Sequence, residues 1–315
     1  MTRPSDTAAN QPDAKDRAAG PQPLWHPLHA SHERRFEDLR FVYPVLSRRS
    51  AGLSIGVNLN PDKICNFDCI YCQVDRRTES DTRFVETAAM LAELEAVLDT
   101  ALSGAIYEMP KFAATPQHLR RVNDMAFSGD GEPTTHRNFN EIVAACAEVK
   151  RRLEERYQAP PIKMVLITNA SMLHRPHVRE GLEILDANNG EIWGKLDAGT
   201  EAYYQYIERT KIPFAQVLSN LTEAATVRPI VIQSLFMRVA GEAPSEAELN
   251  AYCDRLNEIV AAGGQIKLVQ VYTVARRPAE SFVAPLTDGE VDAIAAMVQG
   301  RCGLPTAAYY GNPTP

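Results

Sequence analysis

Short apolar segments alternate with helix-forming segments through most of this 315-residue chain. Capping-box pairs mark two helix starts, Ser245 with Glu248 and Thr287 with Glu290. Repeated strand–helix alternation with buried strands predicts a parallel sheet with right-handed crossovers. The predicted strands lie at 53–59, 125–128, 164–168, 192–196, 230–237 and 266–274. The predicted helices lie at 86–102, 139–157, 176–185, 214–226, 245–264 and 287–300.

Six strand–helix units predict an α/β fold, namely an open partial (β/α)6 TIM-like barrel of parallel strands. This suits the pattern better than a closed barrel of eight units. Residues 1–23, rich in Pro, Ala, Asp and Gln, are predicted to be a disordered tail. Residues 24–50 are predicted to wrap the domain surface, and 51–315 to form the barrel domain, with a looser insert at 103–123 and a short edge strand at 307–310.

Composition sets limits on the class of protein. Apolar residues make up 45% of the chain, which is enough for a sizeable core. The formal net charge of −7 argues against a chain whose whole surface grips nucleic acid. No apolar run approaches the ~20 residues that span a bilayer, and the N-terminus lacks a continuous apolar leader. We therefore expect a cytoplasmic protein with no membrane partner.

Three cysteines stand in the run Cys-Asn-Phe-Asp-Cys-Ile-Tyr-Cys, at Cys65, Cys69 and Cys72. Three thiolates on one tight loop can hold three irons of a 4Fe–4S cluster, whose irons normally take four Cys ligands. The fourth iron would then be open to a small molecule. The loop directly follows the first predicted strand, and active sites of parallel barrels lie at such strand ends.

A zinc loop is the main alternative for these cysteines. Zinc prefers four closed ligands, usually in two spaced pairs, and only Cys69 and Cys72 form such a pair. No His lies within 20 residues of the loop on either side. Three close cysteines also cannot pair evenly as disulfides. The remaining cysteines, Cys146, Cys253 and Cys302, are isolated and are predicted to be small buried residues.

A second loop follows the second predicted strand and reads Gly129-Asp130-Gly131-Glu132-Pro133. The glycines permit tight backbone conformations and close approach of a ligand. The carbonyls of this loop and the Glu132 carboxylate can accept hydrogen bonds from a ligand ammonium group. An ordinary strand–helix turn is the alternative, because Gly, Asp and Pro are common in turns.

Together the two motifs resemble those of the radical S-adenosylmethionine (radical SAM) superfamily. That superfamily pairs a C-x3-C-x2-C loop, with an aromatic residue such as Tyr71 before the last Cys, with a Gly-Gly-Glu-Pro-like loop. The second motif departs slightly here, since Asp130 separates the two glycines. The stretches 47–49 and 54–59 look like a subfamily of Fe–S oxidoreductases akin to wyosine-type tRNA-modifying proteins. The resemblance spans roughly 45–310.

The resemblance implies a defined chemistry. SAM would chelate the open iron through its methionine amine and carboxylate. One electron from the cluster, itself reduced by a donor such as flavodoxin or ferredoxin, would cleave SAM. The resulting 5′-deoxyadenosyl radical would abstract hydrogen from a substrate. The substrate is not identified by the sequence; a tRNA base, a small metabolite and a peptide all stay open.

Polar residues at the ends of the later predicted strands complete the expected site. By position, Thr168 and Asn169 are predicted to contact SAM or substrate, although such a pair is also common in turns. Lys195 and Asp197 are two residues apart and so share one face. Gln233 interrupts a buried apolar run, where an amide usually faces a polar cavity. We predict catalytic roles for Lys195, Asp197 and Gln233. The alternatives are a plain surface ion pair for Lys195 with Asp197 and a satisfied core amide for Gln233.

Further candidates carry weaker signals. Arg238 and the stretch from Gln270 to Thr273 end the fifth and sixth predicted strands. Arg48 and Arg49 precede the first predicted strand, where a contact with a substrate phosphate and a solvated pair are the two interpretations.

Two other functions compete with a radical SAM enzyme. An Fe–S electron-transfer or redox-sensing protein without substrate chemistry would have a fourth Cys ligand and no amine-binding loop. A zinc-stabilised RNA-interaction protein would be colourless with a basic surface, and the acidic balance counts against it.

Overall fold

The computed structural model of the protein describes residues 36–311. The strands in that range are β1 Val42–Ser47, β2 Gly52–Val57, β3 Val122–Phe127, β4 Lys163–Thr168, β5 Gly190–Lys195, β6 Ile230–Leu235, β7 Met237–Val239, β8 Ile266–Tyr272, β9 Val283–Pro285 and β10 Thr306–Tyr309. The α-helices are α1 Thr87–Leu102, α2 Phe139–Tyr157, α3 Pro176–Ala187, α4 Glu201–Glu208, α5 Phe214–Val227, α6 Glu246–Ala261 and α7 Asp288–Cys302. None of these helices is both long and apolar enough to cross a membrane.

Eight strands form one curled sheet in the order β1-β2-β3-β4-β5-β6-β8-β10. The strands β2, β3, β4, β5, β6, β8 and β10 pair in parallel, and β1 pairs antiparallel with β2. The strands β7 and β9 form a separate antiparallel pair. Each of the six strands from β2 to β8 in the main sheet is followed by helix, so the predicted open (β/α)6 half-barrel is confirmed.

The two faces of the sheet differ in chemistry. The outer face packs against helices: Ile55 of β2 lies in one core cluster with the buried Leu94 and Leu98 of α1. The inner face carries a small apolar cluster formed by Ala126, Val165, Trp193 and Val231. Polar side chains of the same strands also lie on the inner face, because residues paired across neighbouring strands point to the same side of the sheet. The cavity described below is lined by this mixed inner surface.

Four elements were not predicted, namely β1, β7, β9 and α4. The strand β1 lies within the segment 24–50 that was expected to wrap the surface, and Pro44 in its middle disguises it. Proline is tolerated there because β1 is at the edge of the sheet. The helix α4 is short, and the β7–β9 pair joins two three-residue strands. The predicted tail 1–23 and residues 24–35 lie outside the described range, and the division into domains stays a prediction.

The strand β1 is tied to the helix layer by one carboxylate. Glu93 of α1 accepts hydrogen bonds from three successive backbone N–H groups, those of Arg40, Phe41 and Val42, at 2.8–3.2 Å. These groups lie at the start of the edge strand, beyond which no further strand of residues 36–311 continues the sheet. Glu93 therefore fixes where β1 begins.

We expect Glu93→Ala to lower the free energy of unfolding by about 1–3 kcal/mol, because it leaves backbone donors without an acceptor. The matched control is Glu95→Ala on the same helix, which removes only a half-exposed ion pair with Arg152 and should cost about 0–1 kcal/mol. Urea unfolding of both variants checks this. Equal losses would show that Glu93 has no special role.

Candidate active site

A cavity of about 290 Å³ lies against the inner face of the half-barrel. Its wall includes the three predicted ligands Cys65, Cys69 and Cys72, in the loop between β2 and α1. It also includes the loop after β3, from Gly129 to Glu132, and the residues Thr168, Asn169 and Lys195. The structure thus brings together ten of the twelve predicted site residues. Asp197 and Gln233 are buried outside the cavity lining.

Two of the three thiols contact ionisable side chains, one acidic and one basic. The Cys69 thiol donates to Glu208 Oε2 at 2.6 Å, and Arg76 Nη2 lies 3.5 Å from Cys72 Sγ. Burial raises the pKa of Cys65, and it raises the pKa of Cys69 further, with help from the charge on Glu208. Without a metal these two thiols are therefore protonated at neutral pH.

The donor set fits a cluster held by three cysteines. All three thiols line one cavity, and the other cysteines of the described range, Cys146, Cys253 and Cys302, are not part of its wall. In the same range no group of three or more His, Cys, Asp and Glu side chains is arranged to hold a single metal ion. A 4Fe–4S cluster spreads its ligands over several irons, which three thiols on one loop can supply.

Glu132 is buried and its carboxylate is fully engaged inside the protein. Oε1 accepts from the backbone and hydroxyl of Thr134, at 3.1 and 2.5 Å, and from the Thr168 hydroxyl at 2.6 Å. Oε2 accepts from the backbone N–H of Asn169 at 2.7 Å. Burial raises the pKa of Glu132, and these hydrogen bonds oppose the rise. The carboxylate therefore fastens the loop after β3 to the end of β4.

The side chain of Asn169 continues this connection to the cysteine loop. Asn169 Nδ2 donates to Asn66 Oδ1 at 2.8 Å, and Asn66 Nδ2 donates to the Ser171 hydroxyl at 2.7 Å. Asn66 is the residue directly after Cys65. Thr168 and Asn169, predicted as ligand contacts, thus have their side chains bound to neighbouring loops.

The two glycines of the loop after β3 are required by close packing. A Cβ on Gly131 would lie 2.2 Å from the carbonyl oxygen of Ile64, and one on Gly129 would lie 2.1 Å from Asn58 Oδ1. Asn58 also donates to Asp130 Oδ2 at 2.7 Å and accepts from the Asp130 backbone N–H. The glycine loop and the cysteine loop therefore touch backbone to backbone.

Behind the cysteines lies a row of buried ionisable groups. The Tyr71 hydroxyl is 2.5 Å from Asp197 Oδ2 and 2.7 Å from Glu208 Oε1. A hydroxyl carries one proton, so one of these carboxyl groups must itself be a donor. Burial and the charge of Asp197 raise the pKa of Glu208, so we assign the second proton to Glu208.

Lys195 ends this row on the cavity side. Its ammonium forms an ion pair with Asp197 at 2.8 Å and donates to the Tyr272 hydroxyl at 3.1 Å. It also lies 5.0 Å from the centre of the Tyr71 ring. Although burial opposes it, the charge of Asp197 contributes to a pKa of Lys195 well above its usual value. Asp197 is fixed in turn by the backbone N–H of Leu235.

Gln233 is placed differently from its prediction. Its Nε2 donates to Gln270 Oε1 at 3.0 Å, across the pairing of β6 with β8, and its Oε1 has no hydrogen-bond partner. Of the other polar residues at the strand ends, Tyr272 and Thr273 line the cavity, and Arg238 pairs with Glu290 outside it.

Several residues of the site carried no signal that we read from the sequence. Glu208 ends a short helix, α4, that was not predicted. Asn66 lies inside the cysteine motif at a position that the motif leaves variable. Asn58 follows β2 directly, where a polar residue at a parallel strand end is a usable signal.

No protein-family model matches the chain. GTPase Obg of Brachyspira hyodysenteriae is 26% identical over 274 residues, which cover 84% of this chain and 34% of that protein. The UPF0026 protein of Helicobacter pylori strain J99 is 24% identical over 273 residues, covering 84% of this chain and 76% of the relative. The UPF0026 protein MJ1312 of Methanocaldococcus jannaschii is 27% identical over 173 residues, covering 53% and 43%.

This chain therefore spans about a third of the GTPase Obg relative and about three quarters of the H. pylori one. The 315 residues contain no G-x4-G-K-[ST] sequence, the phosphate-binding loop of many nucleotide hydrolases. This chain thus lacks the phosphate-binding motif that the name GTPase would suggest.

Two solved structures are similar to the protein. A structure of TYW1 with a lysine–pyruvate adduct bound has a TM-score of 0.47 and 15% identity, covering 80% of this chain and 74% of that chain. Archaeal TYW1 has a TM-score of 0.44 and 12% identity, covering 79% and 72%. Both scores are low, so the fold described above rests on strand order and pairing.

We expect Gly131→Ala to destabilise the protein by about 1–3 kcal/mol, because the new Cβ collides with the backbone of the cysteine loop. The control is Gly289→Ala, where a Cβ meets nothing within 4 Å. Thermal unfolding of the metal-free variants is the measurement. A Gly131→Ala protein as stable as the control would mean that the two loops do not pack as described.

Proposed function

We propose that the protein is a radical SAM enzyme that uses a 4Fe–4S cluster held by Cys65, Cys69 and Cys72. The observation that carries the proposal is the shared cavity. Three thiols of one loop and the glycine-acid loop line the same wall, at the carboxyl ends of neighbouring parallel strands. Residues 51–315 would form the radical SAM barrel domain.

When bound, the cluster would supply the electron that cleaves SAM to a 5′-deoxyadenosyl radical, after reduction by an external donor such as flavodoxin or ferredoxin. The protein's part is to bind and orient the cluster and SAM and to shield them from water. Arg76 donates toward Cys72 Sγ, and hydrogen bonds to ligand sulfurs tune cluster potentials. Burial and the charge of Asp197 raise the pKa of Glu208, and a protonated Glu208 would add no second negative charge beside the Cys69 thiolate.

The loop from Gly129 to Glu132 would receive the methionine amine of SAM. Because the Glu132 carboxylate already accepts four hydrogen bonds from protein groups, we assign the amine contact to main-chain carbonyls of Gly129, Asp130 and Gly131. Glu132, with Thr168 and Asn169, would then hold those carbonyls in place. This differs from the direct contact that the sequence suggested for these three side chains.

Lys195 would act as a fixed cation in the cavity wall. Its raised pKa and its ion pair with Asp197 keep it protonated, so it suits charge stabilisation and hydrogen bonding better than proton abstraction. Asp197 and Gln233 lie behind the lining, where they would support Lys195 and the strand wall.

We expect Cys65→Ala, Cys69→Ala and Cys72→Ala each to abolish the brown chromophore and SAM cleavage, because three thiolates are needed to hold the cluster. The protein is reconstituted with iron and sulfide without oxygen, and its visible spectrum and 5′-deoxyadenosine formation with dithionite are measured. Cys302→Ala, outside the cavity wall, is the matched control and should keep both properties.

The same assay separates the alternative functions. A brown protein that forms no 5′-deoxyadenosine would be an Fe–S electron-transfer or redox-sensing protein. A colourless protein that retains zinc would contradict the proposal altogether.

We expect Glu132→Ala to weaken SAM binding at least about tenfold, or about 1.4 kcal/mol, while the cluster spectrum is retained. The reason is that the loop loses its attachment to Thr168 and Asn169. Isothermal titration of the reconstituted protein with SAM measures the affinity. Glu141→Ala, an exposed position at the start of α2, is the control, and equal affinities would refute the role given to Glu132.

A further inference from the structure

The turn that joins β1 to β2 reaches across the inner face of the half-barrel. The guanidinium carbon of Arg49 lies 5.1 Å from the centre of the Tyr272 ring and 5.6 Å from the centre of the Trp193 ring. Those rings belong to β8 and β5, far from β2 in the strand order. Arg49 is therefore a side chain of the cavity wall, rather than half of a solvated pair.

Arg48 lies beside it, close to the opposite edge of the sheet. Its Nη1 donates to the backbone carbonyl of Tyr310, the residue after β10. Burial lowers the pKa of Arg48, and the charge of Arg49 lowers it further. Both arginines are only half exposed and both line the cavity. Two like charges are thus held together at a partly dry surface.

No carboxylate neutralises this pair within the described range. The ion pairs found between residues 36 and 311 include neither Arg48 nor Arg49. Asp124 lines the same cavity, but its carboxylate accepts from Ser54 at 2.5 Å and from Ser50, and the cation acting on it is Lys163. Half-buried guanidinium groups without a carboxylate partner are stabilised by an oxyanion, which Arg binds with paired N–H donors.

We propose that Arg48, together with Arg49, which lies against the rings of Trp193 and Tyr272, binds a carboxylate or phosphate group of the substrate. For its use in a reaction this inference rests on the proposed radical SAM function. The substrate class is a small oxyanion-bearing molecule, rather than an uncharged one.

A row of side chains separates the arginine pair from the cysteines. Tyr272 contacts both Arg49 and Lys195. Lys195 in turn lies over the Tyr71 ring. The Tyr71 hydroxyl contacts Glu208, which accepts from the Cys69 thiol. In the proposed function the carboxylate of SAM binds the open iron next to the cysteines. The arginines, at the other end of this row, are left for the oxyanion of the substrate.

The test uses the fluorescence of Trp193, which lies against Arg49. The chain has two tryptophans, so Trp25→Phe gives a protein whose signal comes from Trp193 alone. This metal-free protein is titrated with inorganic phosphate and, separately, with malonate, at constant ionic strength set by chloride. We expect a saturable change with at least one of them, and the arm that saturates distinguishes a phosphate from a carboxylate.

Arg48→Gln and Arg49→Gln should each weaken that binding at least tenfold, and Arg49→Lys, which keeps the charge, should weaken it less. Arg151→Gln, at an exposed arginine of α2 bound to Glu148 and Glu155, should bind as the parent does. Circular dichroism checks that each variant folds. If a glutamine variant does not fold, the test is whether Arg49→Lys weakens anion binding relative to the parent protein.

Absence of saturation with both anions, or full binding by both glutamine variants, would overturn the inference. So would competition between SAM and the anion in the reconstituted protein, which would assign the arginines to SAM. The titration needs neither cluster nor SAM. Anion binding without 5′-deoxyadenosine formation would therefore support this site and contradict the proposed function. Formation of 5′-deoxyadenosine without anion binding would support the proposed function and contradict this site.

Discussion

The buried carboxylate of Glu132 is the interaction on which the arrangement of the site depends. It accepts hydrogen bonds from the loop after β3 and from the end of β4, and Asn169 extends the contact to Asn66 beside Cys65. Leaving such a buried acceptor without donors is costly, so these hydrogen bonds favour one fixed arrangement of the loops. Three loops from neighbouring strands thereby behave as one rigid unit facing the cavity.

The sequence predicted what depends on local pattern and missed what depends on partners from distant segments. Strand–helix alternation predicted the half-barrel. The two motifs follow consecutive predicted strands, and in the structure Gly131 packs against the backbone of Ile64, the residue before Cys65. The engagement of Glu132 by Thr168 and Asn169 depends on donors 36 and 37 residues away, which no spacing rule indicates. The same holds for Glu208, which lies 139 residues from Cys69.

Charge is distributed unevenly around the cavity. Near the cysteines, Tyr71, Asp197, Glu208 and Lys195 form a compact set in which protons and charges are shared and the groups satisfy one another. Across the inner face, the arginines of the β1–β2 turn have aromatic rings and a backbone carbonyl as neighbours. Satisfied groups favour a rigid wall, whereas unneutralised cations favour a ligand of opposite charge.

The half-barrel sheet ends in two edge strands, β1 and β10, and each has a feature that discourages self-association. Pro44 deprives β1 of one backbone donor at its midpoint, and β10 is only four residues long. A strand from another molecule could form only an interrupted set of backbone hydrogen bonds with β1 and only a few with β10. The sheet can thus stay incomplete, with its hollow accessible, without inviting the fibre-like stacking that unfinished sheets otherwise promote.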